Sequence, residues 1–299
     1  MIQSFDHLLK EVIKSPKKTV AVVSADDLDT LAVVAEAEEK GMAGFVLVGD
    51  EEKILAITRE HALKLEARII HQPDHRLAAE TAVRLVREGQ ADALMKGMLH
   101  SSVFLKAVLN KEQGLNAGKH VTQISVMEKE AGGLMMITDC AISIAPDLKG
   151  KAEILQNAVD LAHRLGIQRP RVAVLAPVEV VNPDIQDTVD AAALSKMAQR
   201  GQIKGCVVDG PLAFDNAVSK EAAQAKGIES EVAGDADIIL VPNLGVGNAL
   251  TKAITYIANK TVIAATVGAS APLVFTSRTE SRQGKLLTIA LAVYGAESE

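Results

Sequence analysis

Short runs rich in β-branched residues alternate with longer segments of helical period along most of this chain, and no other feature narrows its fold as much. TVAVVS (19–24), GFVLVG (44–49), ARII (67–70) and ADALMKG (91–97) open the series. Between them Leu31, Val34, Ala35 and Glu38, then Ala78, Ala82, Leu85 and Val86, recur at intervals of three and four, the spacing of helices that cover one face of a sheet. Such alternation builds βαβ units. Runs that are apolar on both faces, as in VAVV, suit the buried interior of a parallel sheet. The expected class is therefore α/β, with mostly parallel sheets flanked by helices.

Between His120 and Ile144 the rhythm changes. HVTQISVME and GLMMITD are separated by KEAGG, whose glycines can turn the chain, so an antiparallel pair is expected there. Alternation restarts after APDLKGK (145–151) and runs through RVAVLA, GCVVDG and ADIILVP, each followed by a helical stretch. A boundary near Pro146 follows, giving a first α/β domain from residues 1–147 with 273–299 and a second from 148–272. A final helix over 281–294 is expected to pack back on the first domain. At the other end, Phe5, Leu8, Leu9, Val12 and Ile13 form one helical stripe without the unbroken apolar core or cleavage site of a signal peptide, which reads as a docking helix.

Composition excludes several roles. Of the 299 residues, 48% are hydrophobic and 23% charged, values of an ordinary globular chain rather than a disordered one. The net charge of −6 offers no bulk positive field to DNA, RNA or anionic lipid, so an anionic ligand must be caught locally. Five Phe, two Tyr and no Trp leave little for base stacking. Cys140 and Cys206, far apart, suggest neither a disulfide framework nor a thiolate zinc site. The apolar stretch 261–275 is too short and too interrupted to cross a bilayer. These features point to a soluble, cytoplasmic protein with no nucleic-acid or membrane partner.

Motifs narrow the chemistry further. Gly245 and Gly247 begin a dinucleotide fingerprint, but Leu250 stands where its third glycine belongs. Gly114, Gly118 and Lys119 are one residue short of a phosphate loop. His71 and His75 have the spacing of a zinc pair, yet Pro73 between them disrupts the helix that would align them, leaving solvated loop histidines. The segment 268–272 lacks the second glycine of a nucleophile elbow.

Open α/β sheets bind ligands at the carboxyl ends of their strands, where helix N-termini present free N–H groups. Lys96-Gly97, Asp139, Asp209-Gly210 and Ser277-Arg278 all follow predicted strands. Lys96 supplies charge while Gly97 lets a backbone N–H approach an anion; alternatively the pair is an ordinary strand-to-helix turn. Ser277 can donate a hydroxyl and Arg278 can fork around phosphate oxygens; alternatively they are a helix cap and a surface charge. Asp209 and Asp215 could position or deprotonate a group, though Asp215 also fits an N-cap. Glu179 and Asn182 in VEVVNP, and Asn248 with Lys252, complete the candidates, each with a turn or solvated-helix alternative.

Taken in order, ADALMKG, GLMMITDCAI, RGQIKGCVVDGPLAFDNAVS, EVAGDADIILVPNLGVGN and APLVFTSRTES resemble the phosphate acetyl/butaryl transferase family over nearly the whole chain. VDGPLAFDNAVS and PVEVVNP look most like its butyryltransferase branch. The resemblance implies reversible transfer of an acyl group between coenzyme A and inorganic phosphate, with acyl-CoA, phosphate and acyl phosphate as ligands and no metal or redox cofactor. It also implies a two-domain fold like that of the isocitrate and isopropylmalate dehydrogenases, an interdomain site, and a homodimer or larger assembly. Ser277 and Arg278 match the pair that the family's acetyltransferases place at their reacting centre. The family's aspartate seven residues after the serine has no match, since Gly284 holds that place. Of Glu-Ala-Gly-Asn only Gly247 and Asn248 carry over. Glu179 or Asp209 is then the expected base, with Lys96, Gly97, Asp139, Asn182, Gly210, Asp215, Gly247 and Asn248 as substrate-binding positions. Two rival readings are a non-catalytic sensor of CoA or acyl phosphate and an NAD-dependent hydroxy-acid dehydrogenase of the same fold.

Overall fold

The computed structural model describes residues 1–277 and 279–296, which divide into two compact α/β units. One holds residues 5–119 and the chain from 263 onward; the other holds residues 1–4 and 120–262.

The first unit opens with α1 (Phe5–Lys14), then β1 (Thr19–Val23), α2 (Leu28–Glu39), β2 (Gly44–Gly49), α3 (Glu51–Glu60), β3 (Arg68–His71), α4 (His75–Arg87), β4 (Ala93–Lys96) and α5 (Ser101–Val108). Its strands run parallel in the order β3-β2-β1-β4. The apolar alternation has a direct cause: Val20 to Val23 and Leu47 to Val48 have no appreciable exposure, because helices cover both faces. Asp27, Asp50 and Asp74 begin α2, α3 and α4, each accepting a backbone N–H and so fixing where strand passes into helix.

The second unit contains β5 (Thr122–Glu128), β6 (Leu134–Thr138), α6 (Leu148–Arg164), β7 (Arg171–Leu175), α7 (Gln186–Gln199), β8 (Val207–Leu212), α8 (Phe214–Val218), α9 (Lys220–Ala225), β9 (Ile238–Leu240) and α10 (Leu244–Tyr256). Strand order is β5-β6-β9-β7-β8, with β5 and β6 antiparallel as the KEAGG turn predicts and the remaining pairs parallel. The sequence suggested a boundary near Pro146, but the division falls at His120. The reason is non-local pairing: Met136 to Thr138 of β6 lie against Ile238 to Leu240 of β9, which ties the hairpin to the later segment. At the amino ends of β7 and β9, Asp237 accepts hydrogen bonds from Arg171 N at 2.9 Å, Arg171 Nε at 3.1 Å and Lys129 Nζ at 2.6 Å.

After β10 (Val262–Val267) the chain adds β11 (Leu273–Val274) and α11 (Arg282–Gly295) to the first unit. β11 is parallel to β4, with Leu273 opposite Leu94 and Val274 opposite Met95, and antiparallel to β10. The final helix packs on α1 and α2, meeting the apolar stripe of the amino-terminal docking helix. No helix among the described residues is long and apolar enough to cross a membrane.

Candidate functional site

In the first unit the carboxyl ends of β1, β4 and β11 are neighbours, because Val23 pairs with Lys96 and Val274 with Met95. Lys96 closes β4 as a buried cation, and its ammonium donates to the Gly97 carbonyl at 3.2 Å. Gly97 turns out to serve the sheet as well as the edge. A Cβ there would lie 2.4 Å from the Ser24 carbonyl oxygen and 2.5 Å from that of Val23, so only glycine permits the Gly97 N–H to reach Val23 at 2.9 Å. Ser24 is buried with φ of 52°, and its hydroxyl meets His75 Nδ1 at 2.8 Å. His75 is thus a partner of the β1 terminus rather than a loose loop histidine. His71, which ends β3, is exposed and accepts the Glu51 N–H at 3.3 Å.

Ser277 lies exposed beyond β11. Its hydroxyl is 3.1 Å from that of Thr279, and its backbone N–H donates to Glu280 Oε2 at 3.3 Å. Arg278 lies outside the described residues. Glu280, which the sequence reading did not single out, accepts a second hydrogen bond from the Thr288 hydroxyl at 3.0 Å. Burial pushes its carboxyl above the usual glutamate value, and the bonds from Thr288 and Ser277 with the charge of Lys285 only partly offset this.

In the second unit the edge formed by β6, β9, β7 and β8 gathers another set. Asp139 follows β6 and is fully engaged: Oδ1 accepts from the Ala141 and Ile142 N–H groups at 2.9 and 3.1 Å, and Oδ2 from Ser143 N at 3.1 Å and Ser143 Oγ at 2.7 Å. Because that hydroxyl donates to the carboxylate, it accepts from His120 Nε2 at 2.7 Å, which fixes the imidazole proton on Nε2. Gly247, in the first turns of α10, lies against the Asp139 carbonyl, and Asn248 Nδ2 donates to the Cys140 carbonyl at 3.5 Å. Asp139, Gly247 and Asn248 therefore stand together.

The other candidates do not join them so directly. Glu179 binds Lys226 and the Asn216 amide, and the hydrogen bond from the Lys226 ammonium holds its carboxyl below the usual range. Asp215 shares the same lysine at 3.3 Å; it lies within α8, whose N-cap is Ala213, so Asp215 is not the cap. Asn182 shapes the turn before α7: its N–H donates to Thr188 Oγ1 at 2.9 Å, and its Oδ1 accepts the Asp184 N–H at 3.0 Å. Asp209 and Gly210 are not at a strand end. The β8 strand continues to Leu212, with a register shift against β7 between Ala173 and Leu175 that takes up one extra residue inside the strand.

A groove of about 880 Å³ between α4 and α5 also escaped the sequence reading. Arg76, Arg84 and Lys106 line it beside Leu77, Val103 and Asn110. No local motif announces it, since the cations come from two helices and only their packing brings them together.

A model of the family described as phosphate acetyl/butaryl transferase matches residues 70–293. The chain is 45% identical to the phosphate butyryltransferase of Clostridium acetobutylicum over 294 residues, covering 98% of each protein. It is 41% identical to the phosphate acetyltransferase of Rhizobium meliloti, covering 96% of this chain and 92% of that protein. Among solved structures, a branched-chain phosphotransacylase from Enterococcus faecalis V583 superposes with a TM-score of 0.82 at 29% identity, covering 94% of this chain and all 100% of its own. A 4-hydroxythreonine-4-phosphate dehydrogenase from Burkholderia phymatum shares the fold at a TM-score of 0.57 and 13% identity, covering 94% of this chain and 98% of its own.

Proposed function

The chain belongs to the phosphate acetyl/butaryl transferase family, and we propose that it transfers a short acyl group, butyryl or similar, reversibly between coenzyme A and inorganic phosphate through a ternary complex. The 45% identity to a phosphate butyryltransferase across 98% of both chains carries this reading. The phosphate acetyltransferases of Rhizobium meliloti and Thermotoga maritima stand slightly further away, at 41% and 39% identity.

In the direction of acyl phosphate formation, a phosphate oxygen attacks the thioester carbonyl, the carbon–sulfur bond breaks, and CoA leaves as thiolate. Ser277 and Arg278 are assigned to the reacting centre, with Lys96 as a further cation on the neighbouring strand. The serine hydroxyl donates to the tetrahedral oxyanion, while the guanidinium and ammonium bind phosphate. A free thiol has a pKa of about 8.5, so an electropositive site needs only a modest bias to stabilise the leaving thiolate. Glu179, fixed by Lys226, holds that lysine and Asn216 in place and does not act as the base. Asp139, Gly247 and Asn248 form the corresponding polar edge of the second unit. The groove between α4 and α5 brings Arg84 and Lys106 to an apolar floor, with Arg76 paired to Glu80 at 2.9 Å, a surface that suits a phosphorylated nucleotide with a pantetheine arm.

We also infer that the two compact units are domains of the kind found in isocitrate and isopropylmalate dehydrogenases, that the protein works in the cytoplasm, and that it assembles as a homodimer or larger homo-oligomer. The decisive assay mixes butyryl-CoA with the protein, with and without phosphate, and follows free thiol. Phosphate-dependent thiol release is expected. No release would leave a CoA or acyl-phosphate sensor, and release without phosphate would leave a thioesterase. With each buried methylene worth about 0.8 kcal/mol, butyryl- and isobutyryl-CoA should both be used well, and a marked preference for acetyl-CoA would contradict the assignment.

A further inference from the structure

We propose that Glu280 is a positioning residue for this transfer, its half-buried carboxylate holding the Ser277 backbone against α11 so that the Ser277 hydroxyl stays where the oxyanion forms. The inference rests on the assignment of Ser277 to the reacting centre.

Three independent features of the first unit meet at this carboxylate. Each oxygen has a different protein donor: Oε2 takes the Ser277 N–H at 3.3 Å, and Oε1 takes the Thr288 hydroxyl at 3.0 Å. Thr288 is fully buried, and the same hydroxyl accepts the Ala264 N–H of β10 at 3.3 Å. An unbroken path therefore runs from a sheet strand, through the interior of α11, to the peptide of Ser277. The helix also leaves room for it, since a Cβ on Gly284 would lie 3.0 Å from Glu280 Cγ and 3.2 Å from Oε1. Any side chain at position 284 would crowd the carboxylate.

Burial raises the Glu280 pKa, so placing the group here costs stability, and the nearby Lys285 ammonium lies 3.8 Å from Asp29 of α2. A loop anchor alone does not need an ionisable group, because an amide or hydroxyl could accept the same N–H. A carboxylate accepts from Ser277 and Thr288 at once without donating to either, so the Thr288 hydroxyl keeps a lone pair for Ala264.

The experiment compares Glu280→Ala, Glu280→Gln and Ser277→Ala by kcat, KM for butyryl-CoA and phosphate, and melting temperature. Loss of the clamp in Glu280→Ala should lower kcat about 100-fold with both KM values nearly unchanged, as expected when a reacting group moves by about an ångström. In Glu280→Gln the amide oxygen still accepts from Ser277 while the NH2 faces Thr288, whose hydroxyl oxygen can accept it, so this isosteric variant should keep kcat within about fivefold of the parent. Should Glu280→Ala melt early, Glu280→Met fills the same space but offers the Ser277 N–H no carboxylate, and should lower kcat to the same extent with both KM values nearly unchanged. An active Glu280→Ala beside an inactive Ser277→Ala would overturn the clamp and leave the site assignment standing. Equal collapse of Glu280→Gln and Glu280→Ala, or a stable Glu280→Met with the parental kcat, would also overturn it. An active Ser277→Ala would overturn the site assignment and the clamp together.

Discussion

Asp237 and Glu280 are both carboxylates drawn into the ends of parallel strands, yet their surroundings are opposite. Asp237, at the amino end of β9, is met by Arg171 and Lys129. Burial alone would raise its pKa, but these hydrogen bonds and charges outweigh it and hold the carboxyl below the usual range. Glu280, past the carboxyl end of β11, is met by one peptide N–H and one hydroxyl, and its pKa stays raised. At the amino edge, charge is neutralised and serves the fold. Past β11 the Glu280 carboxylate accepts from neutral donors and sits next to Ser277, whose hydroxyl is proposed to face the substrate.

The largest effects should come from the carboxyl edge. Ser277→Ala is expected to reduce kcat by about 100- to 1,000-fold, and Arg278→Ala to do the same while raising the phosphate KM, both without a change in melting temperature. Steady-state kinetics beside thermal denaturation separates these from folding defects. Unchanged kinetics for Arg278→Ala would remove it from the site.

Asp237→Asn should show the reverse pattern, losing about 2 kcal/mol in denaturant titration while kcat is kept. The figure is below that of a fully buried pair because the Arg171 side chain is 33% exposed. A large loss of activity with normal stability would break the contrast between the two edges.

The two carboxylates should also tilt stability with pH in opposite senses. Glu280 is raised in the folded state, so its contribution is full below the unfolded value of about 4.3 and is lost as pH rises through the folded value. Asp237 is lowered, so its contribution is present above the unfolded value of about 3.9 and is lost as pH falls through the folded value. Melting curves of Glu280→Gln and Asp237→Asn between pH 3 and 7 should therefore differ from the parent at opposite ends of the range. The smallest effect is expected for Glu179→Gln, which should change kcat by less than about threefold, since the carboxylate is already committed to Lys226 and Asn216. A collapse there would return Glu179 to the role of base.

Much of this architecture can be read from the residues alone. The strands TVAVV and GFVLVG, the antiparallel turn at KEAGG and the closing helix stand where periodicity and glycine placement put them. The boundary was harder, because the register of β6 on β9 depends on residues about a hundred positions apart and leaves no local mark. Asp209 was misplaced for a similar reason, the shift in β8 being visible only against β7. Of the proposed site residues, Lys96 was legible as the polar end of a strand, and Ser277 as a polar group beyond one. Glu280 was not, because SRTES reads as an ordinary lead into a helix until Thr288 and Gly284 are folded beside it. The groove of Arg76, Arg84 and Lys106 likewise exists only once α4 and α5 have met.

The insertion of β11 next to β4 has a consequence for biosynthesis. Until Leu273 and Val274 leave the ribosome, the nascent chain presents Leu94 and Met95 along an open strand edge. At about 5–20 residues per second that interval lasts roughly 10 to 40 seconds, long enough for a holding chaperone to matter. Truncated products ending before residue 273 should accordingly reach inclusion bodies far more readily than the complete polypeptide.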